Sequence, residues 1–314
     1  MVDNRQQWKA WLYLSPAIVL LLVFTVWPIF NTVRMAFLEG YSGLSAYNGA
    51  TFKFGIDNFV TVIRYKGFKQ CLGNTMLLCV LTVPISTILA LLIAVALNSI
   101  KPLQKLLQTI YFLPYVTNSI AIGMVFAAMF NIIGLRPNET GFEADSLGVV
   151  NNFLGLFGID PIIWINQGSE YWANITVMVV YIVWNALPFK ILVLLGGLQS
   201  INKQYYDAAK VDGTSRIRVL WRITVPLLSP MLAYVIITGF IGGFKEYSSI
   251  VGIFDVTMGP PHEPGLLNTM VGMVYDSMER NQQGRASAAA LILFAIILAV
   301  TIFNNKVIKK FTHY

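Results

Sequence analysis

The chain has 314 residues, 56% of them hydrophobic and only 12% charged, with a formal net charge of +7. Soluble domains average about 25% charged residues, so the composition argues against one large soluble core and for a bilayer as solvent. Nucleic-acid binding needs a basic soluble face, and this chain has none to offer.

A hydrocarbon core about 30 Å thick is crossed by about 20 helical residues. Six runs free of Asp, Glu, Lys and Arg reach that length: Ala10–Val33, Leu72–Ile100, Leu106–Leu135, Tyr171–Phe189, Ile223–Phe244 and Ala286–Asn305. They predict an all-α integral membrane protein with six transmembrane helices. Residues 1–314 form one transmembrane domain, with spans at about 10–33, 72–98, 107–131, 171–195, 225–247 and 286–305. The first run follows Arg5 and Lys9 as a signal peptide would, but it is too long and no small-residue cleavage site follows. It reads as a retained span. Next, Ile56–Phe68 carries Ile56, Phe59, Val60 and Ile63 at helical spacing and is expected along the outer interface. The third run exceeds one span, so part of it is loop. Pro28, Pro84, Pro114, Pro188 and Pro230 fall within or at the ends of spans, where each removes a backbone donor. Cys71 and Cys79 are expected to be small packing residues.

Orientation follows from Lys and Arg. With the N-terminus inside, the inner segments hold Arg5, Lys9, Lys101, Lys105, Lys203, Lys210, Arg216, Arg218, Arg222, Lys306, Lys309 and Lys310 against three acids. The outer segments hold seven basic and eleven acidic residues. Arg34, Lys190, Lys245 and Glu246 are read as span edges, the last two snorkelling or pairing with each other. Both termini are therefore expected to be cytoplasmic, with a cytoplasmic loop at about 199–224.

Sites of chemistry are scarce. There is no GxxxxGK[ST] to hold ATP phosphates, no HExxH and no CxxC. His262 and His313 are too few for a metal site. Scarce intramembrane charge argues against an ion-coupled pump. The triplet Asn138-Glu139-Thr140 matches a glycosylation acceptor and is given no role.

The informative stretch is a charged island, Gln204–Pro230. Tyr205–Asp212 is rich in helix formers, and Ala208 with Ala209 gives a smooth face able to enter a cleft. Asp212 and Arg216 are spaced i,i+4, as for a helical ion pair. Gly213 marks either a turn between two short helices or a close approach of another backbone. Ile223 and Pro226 start the fifth span, where proline is acceptable near the helix N-terminus. A plain solvated loop-helix fits these residues as well as a docking element does.

Asp207-Ala208-Ala209, three residues, Gly213, nine residues and Ile223-Thr224-Val225-Pro226 resemble the EAA loop of ABC importer permeases, with Asp207 in place of Glu and Val225 in place of Leu. Leu194–Ile201, Gly242–Tyr247, Val256–Pro261 and the first span resemble the carbohydrate-uptake branch, of maltose and glycerol-phosphate permease type. The resemblance implies a type I importer permease with six spans and no enzymatic activity. It implies no cofactor in this chain, with ATP and Mg bound by two separate ATPase subunits. It further implies a second, related permease, an extracellular solute-binding protein, a carbohydrate substrate, membrane lipid, and a bacterial or archaeal plasma membrane. By the same resemblance Asp207, Ala208, Ala209, Lys210, Asp212, Gly213, Arg216, Ile223 and Pro226 form the ATPase-coupling element.

Sugars pack C–H faces on aromatic rings and need donors and acceptors for their hydroxyls. Asn118, Tyr181, Trp184, Asn185, Phe244 and Tyr247 offer that chemistry, though core packing or helix–helix hydrogen bonding accounts for each of them too. The solute stays open between a sugar, oligosaccharide or polyol and another class such as glycerol phosphate. An ion-coupled carrier or a membrane enzyme remains as an alternative of different class.

Overall fold

The computed structural model describes residues 7–100, 104–138 and 141–309. Asp3, Arg5, Lys101, Lys310, His313 and the Glu139-Thr140 part of the glycosylation triplet lie outside the described residues. Chain order runs α1 (Gln7–Leu21), a π turn at Leu22–Val26, α2 (Trp27–Ala36), α3 (Gly43–Tyr47), α4 (Asp57–Arg64) and α5 (Phe68–Ser99). Then follow α6 (Gln104–Phe112), a 3₁₀ turn at Leu113–Val116, α7 (Ser119–Phe130), strands β1 (Arg136–Asn138) and β2 (Gly141–Glu143), α8 (Gly148–Gly155) and α9 (Tyr171–Ser200). The remainder is α10 (Lys203–Val211), α11 (Arg216–Val219), a π turn at Leu220–Thr224, α12 (Val225–Leu227), α13 (Ser229–Gly243), α14 (Ser248–Phe254), α15 (Met270–Glu279) and α16 (Gln283–Lys309). The antiparallel pair β1–β2 sets Arg136 opposite Glu143 and Pro137 opposite Phe142.

Among the described residues, four helices are long and apolar enough to cross a membrane: Trp8–Ala36, Phe68–Ser99, Tyr171–Ser200 and Gln283–Val307. Two further pairs qualify only when joined across a bend. The third expected span breaks by 98° between Leu106–Val116 and Ser119–Phe130, and the fifth by 71° between Arg216–Leu227 and Ser229–Gly243. The causes are local. Asn118 leaves helical geometry and caps α7, its Oδ1 accepting from Ile120 N at 2.8 Å and Ala121 N at 3.3 Å. At the other bend, Pro230 takes an N-terminal position of α13. The fifth long helix therefore starts at Ser229 rather than at Ile223.

Both π turns precede a proline. Trp27 N bonds to Leu22 O before Pro28, and Val225 N bonds to Leu220 O before Pro226. A proline ring crowds the carbonyl four residues back, and widening the helix by one residue relieves that contact.

The chain divides into two compact units. One comprises the chain up to Phe68 with Met273–Ala295. Here the end of α2 is stitched by a side chain: Asn58 Nδ2 donates to Ala36 O at 3.0 Å and Leu38 O at 2.7 Å. Gly43 N donates to Gln283 Oε1 at 2.8 Å, and Gly284 N to Tyr41 O at 2.9 Å. Arg285 stacks over Tyr65, 4.5 Å from the ring centroid. The expected interfacial helix forms only as α4, and its buried face is Asn58 and Val62, while Ile56 and Ile63 are exposed. The polar Asn58 occupies the buried stripe because it satisfies the α2 carbonyls.

The second unit comprises Lys69–Gly272 with the chain from Ile296 onward. One apolar cluster gathers Leu78, Met178, Tyr181, Ile250 and Leu267; another gathers Ala90, Ala94, Leu194, Leu198 and Val235. Glycines let helices touch, as small residues do inside membranes. A Cβ at Gly123 of α7 would lie 2.7 Å from Gly252 Cα of α14, and one at Gly243 of α13 would lie 2.8 Å from Cys79 Sγ of α5. Cys71 and Cys79 are both buried, as their reading as packing residues requires. The loop between α7 and α9 is ordered by asparagines. Asn151 donates to Leu147 O and Ile162 O and accepts from Ile162 N and Trp164 Nε1. Full satisfaction of this buried amide fixes the part of the loop that follows β2.

Candidate functional site

Two features of the second unit carry chemistry. The first is the charged island, built as a short knob. Asn202 caps α10 by accepting from Gln204 N at 3.0 Å. At the other end Gly213 has φ +63°, Gly213 N donates to Lys210 O at 3.1 Å, and Thr214 N to Ala209 O at 2.9 Å. That crossed pair is a Schellman end, which uses a left-handed residue where glycine has no Cβ penalty. A Cβ at Gly213 would meet nothing within 4 Å. The turn reading of Gly213 therefore applies, and among the described residues none beyond its two chain neighbours comes within 4 Å of that Cβ position.

The left-handed residue also corrects the expected Asp212–Arg216 pair. Asp212 closes α10, Arg216 opens α11, and the two no longer share a helical face. Asp207 instead meets Lys210 at 3.5 Å. Both are well exposed, so that pair adds little stability. Ala209 is buried and Ala208 exposed, which splits the smooth face into an anchored half and a free half. On the same island Val211 and Ile217 are 89% and 73% exposed, with Trp221 also exposed. These apolar neighbours were not among the expected coupling residues, although apolar side chains inside a charged island are a visible signal. Tyr206 OH lies 3.3 Å from Thr224 Oγ1 and ties the knob to the second π turn, which holds Ile223, just ahead of Pro226 in α12. Beneath the knob is a recess of about 560 Å³ bordered by Asn98, Leu198, Tyr206, Gly213 and Thr224.

The second feature is a cavity of about 290 Å³ enclosed by α5, α9, α13, Tyr115 and Glu246. Of the six residues expected on the substrate path, Asn185 alone lines it. Tyr181 is fully buried and donates to Ser119 O, and its ring meets Phe126 at 5.0 Å. Trp184 packs on the same Phe126 at 5.1 Å, Phe244 is buried, and Tyr247 packs against the first apolar cluster. Asn118 is spent on its helix cap. The cavity instead offers a stacked pair, Tyr115 and Phe189, with centroids 5.9 Å apart.

Its wall also holds Lys190 and Glu246, both read as span edges from the sequence. Lys190 is instead buried inside α9, because the helix continues to Ser200. Its Nζ donates to Val83 O at 3.2 Å, Ser86 Oγ at 2.7 Å and Thr87 Oγ1 at 2.9 Å, all on α5. A Cβ at Gly239 would lie 3.2 Å from that Nζ, so α13 spares room for it. The apolar run Ile191–Leu195 beyond Lys190 is the signal that places this lysine inside a helix. Glu246 follows α13 and accepts from Ser249 N at 3.2 Å. Among the described residues the expected Glu246–Lys245 ion pair does not form.

Long apolar helices, a capped polar knob and a lined cavity between helices define a multi-pass membrane transport protein. Residues 77–313 match the family of binding-protein-dependent transport system inner membrane components, and the chain belongs to that family of transport permeases. It is 30% identical to the lactose transport system permease protein LacF of Rhizobium radiobacter over 94% of this chain and 91% of that protein. It is 29% identical to the arabinooligosaccharides transport system permease protein AraP of Halalkalibacterium halodurans over 95% and 87%. In fold it resembles a chain of the bacterial alginate ABC transporter crystallised with an alginate pentasaccharide-bound periplasmic protein. The TM-score is 0.76 at 24% identity, covering 99% of this chain and 97% of that one.

Proposed function

We propose that this chain forms half of the translocation pore of an ATP-binding-cassette importer for a sugar, oligosaccharide or polyol. Each bent helix pair counts as one span, which makes six, with both termini cytoplasmic in a bacterial or archaeal plasma membrane. A second, related permease completes the pore, two ATPase subunits supply energy with ATP and Mg, and an extracellular solute-binding protein delivers the solute. The observation that carries this reading is the knob: a helix capped at both ends, exposing Ala208 and Val211 and ended by a left-handed Gly213, with Ile217 exposed on the short helix that follows. Such a face enters a protein cleft at low desolvation cost.

The geometry gives the knob a lever. From α9 only Ile201 and Asn202 intervene before α10, so displacement of α10 pulls on α9. Through Lys190, α9 is fastened to α5, and both helices wall the cavity. Closure of the ATPase pair around the knob is thereby passed to the solute path. The substrate class draws support from LacF and AraP, and from a cavity that pairs stacked rings with polar groups.

The test is co-purification of the chain with its partners, followed by ATPase assays with loaded binding protein across a sugar panel. The proposal expects a co-purifying ATPase stimulated by at least one sugar. Solute uptake by this polypeptide alone, insensitive to ATP depletion, would overturn it.

A further inference from the structure

Lys190 and Glu246 face one cavity but do not pair, and hydrogen-bond arithmetic shows what each has left to offer. The Ser86 hydroxyl donates to Thr82 O, and the Thr87 hydroxyl to Val83 O at 2.7 Å. Each therefore turns lone pairs toward Lys190, as does Val83 O. Three acceptors around one nitrogen require three N–H donors, so the group is an ammonium with none to spare. Thr238 is likewise committed, donating to Tyr234 O at 2.7 Å. Donors left on the wall are the Thr82 and Tyr115 hydroxyls and the Asn185 amide.

Glu246 is the opposite case. A carboxylate offers about four acceptor positions, and its local donors are the Ser249 amide and hydroxyl and the Tyr247 amide, which leaves one position for a solute. The cavity thus keeps one acceptor position of a carboxylate open to solute, while its lysine is fully committed to α5.

We propose that Glu246 is the solute-selecting residue of this cavity, receiving a hydroxyl proton of an uncharged polyhydroxylated solute and excluding acidic sugars. This inference rests on the importer reading above. A neutral sugar supplies a hydroxyl proton to Glu246 and a C–H face to the Tyr115–Phe189 pair. A uronic acid brings a second carboxylate beside Glu246 and finds no lysine donor free.

The experiment uses the full assembly with its binding protein in proteoliposomes, and radiolabelled lactose, arabinotriose, raffinose and digalacturonate as probes. The wild type is expected to take up one or more neutral probes and to reject digalacturonate. In Glu246→Gln the shape is kept and one charge lost; KM for the accepted neutral probe is expected to rise about tenfold or more, the scale of a lost hydrogen bond to a charged group, with the maximal ATPase rate retained. Glu246→Asp, which keeps the carboxylate, is expected to recover part of that KM and guards against a folding defect. Wild-type uptake of digalacturonate on a par with neutral probes, or an unchanged KM in Glu246→Gln, overturns the inference and leaves the importer reading standing. Failure of the wild type with every sugar overturns the importer reading itself, and this inference with it.

Discussion

Gly213 allows the knob to be perturbed through the backbone alone. Its φ is +63°, and a Cβ there would meet nothing within 4 Å. The cost of Gly213→Ala is therefore the left-handed penalty, about 1–2 kcal/mol, without a steric clash to confuse it. That energy shifts the balance between closed and frayed knob by about 5- to 30-fold. The reporter is the Thr214 amide, held by Ala209 O at 2.9 Å. Its hydrogen-exchange protection is expected to fall by that factor in Ala and further in Val, whose branched side chain suits left-handed backbone least. Asn tolerates this conformation and is expected to stay close to the parent. ATP-driven uptake by the assembly is expected to follow the same order: Gly, Asn, Ala, Val. If Asn is as damaging as Val, or if Ala has no effect on either measurement, the left-handed argument is wrong. In the first case the glycine serves a close approach by a partner; in the second neither role holds.

Other positions answer to thermal unfolding of the detergent-solubilised protein. Gly123→Ala forces a methyl against the α14 backbone at Gly252 and should cost about 1–3 kcal/mol as overpacking; Gly196→Ala, open in every direction within 4 Å, should be neutral or stabilising. Asn118→Ala is expected to cost about 1 kcal/mol through its lost cap, to be largely rescued by Ser, and to leave sugar preference unchanged. A changed preference would return Asn118 to the solute path. Asn58→Ala strips the bonds to Ala36 O and Leu38 O and should cost about 1–3 kcal/mol, whereas an unchanged melting temperature would show that water replaces the amide freely.

What was legible in the sequence follows from which forces a sequence displays. Charge-free length located the helices at Trp8–Ala36, Phe68–Ser99, Tyr171–Ser200 and Gln283–Val307, because lipid sets that length directly. The bends at Asn118 and Leu228 were not legible from hydropathy. A cap and a proline act on backbone geometry while the run stays apolar. Spacing against a known loop located the knob, and of the two readings that Gly213 left open the turn is the one found. The same spacing misled for Asp212 and Arg216, since i,i+4 has meaning only within a continuous helix. The cavity was least legible. Aromatic chemistry pointed to Tyr181, Trp184 and Phe244, which are spent on packing among themselves and their neighbours. Lys190 and Glu246 look like span edges in the sequence, because a charge ordinarily ends an apolar run. In fact Ser86, Thr87 and Val83 solvate the lysine from the neighbouring helix, and that provision is invisible along one strand of sequence.

The central claim is that the α10 knob docks into a separate ATPase subunit, and site-directed cross-linking tests it most directly. Cysteine at the exposed position 208, in a chain whose two native thiols are buried, would be carried into the full assembly and oxidised with and without a non-hydrolysable ATP analogue. The account predicts a covalent product with an ATP-binding polypeptide, its yield changed by the nucleotide. Labelling of that cysteine by a membrane-impermeant thiol reagent from outside intact cells, with no such product, would contradict it.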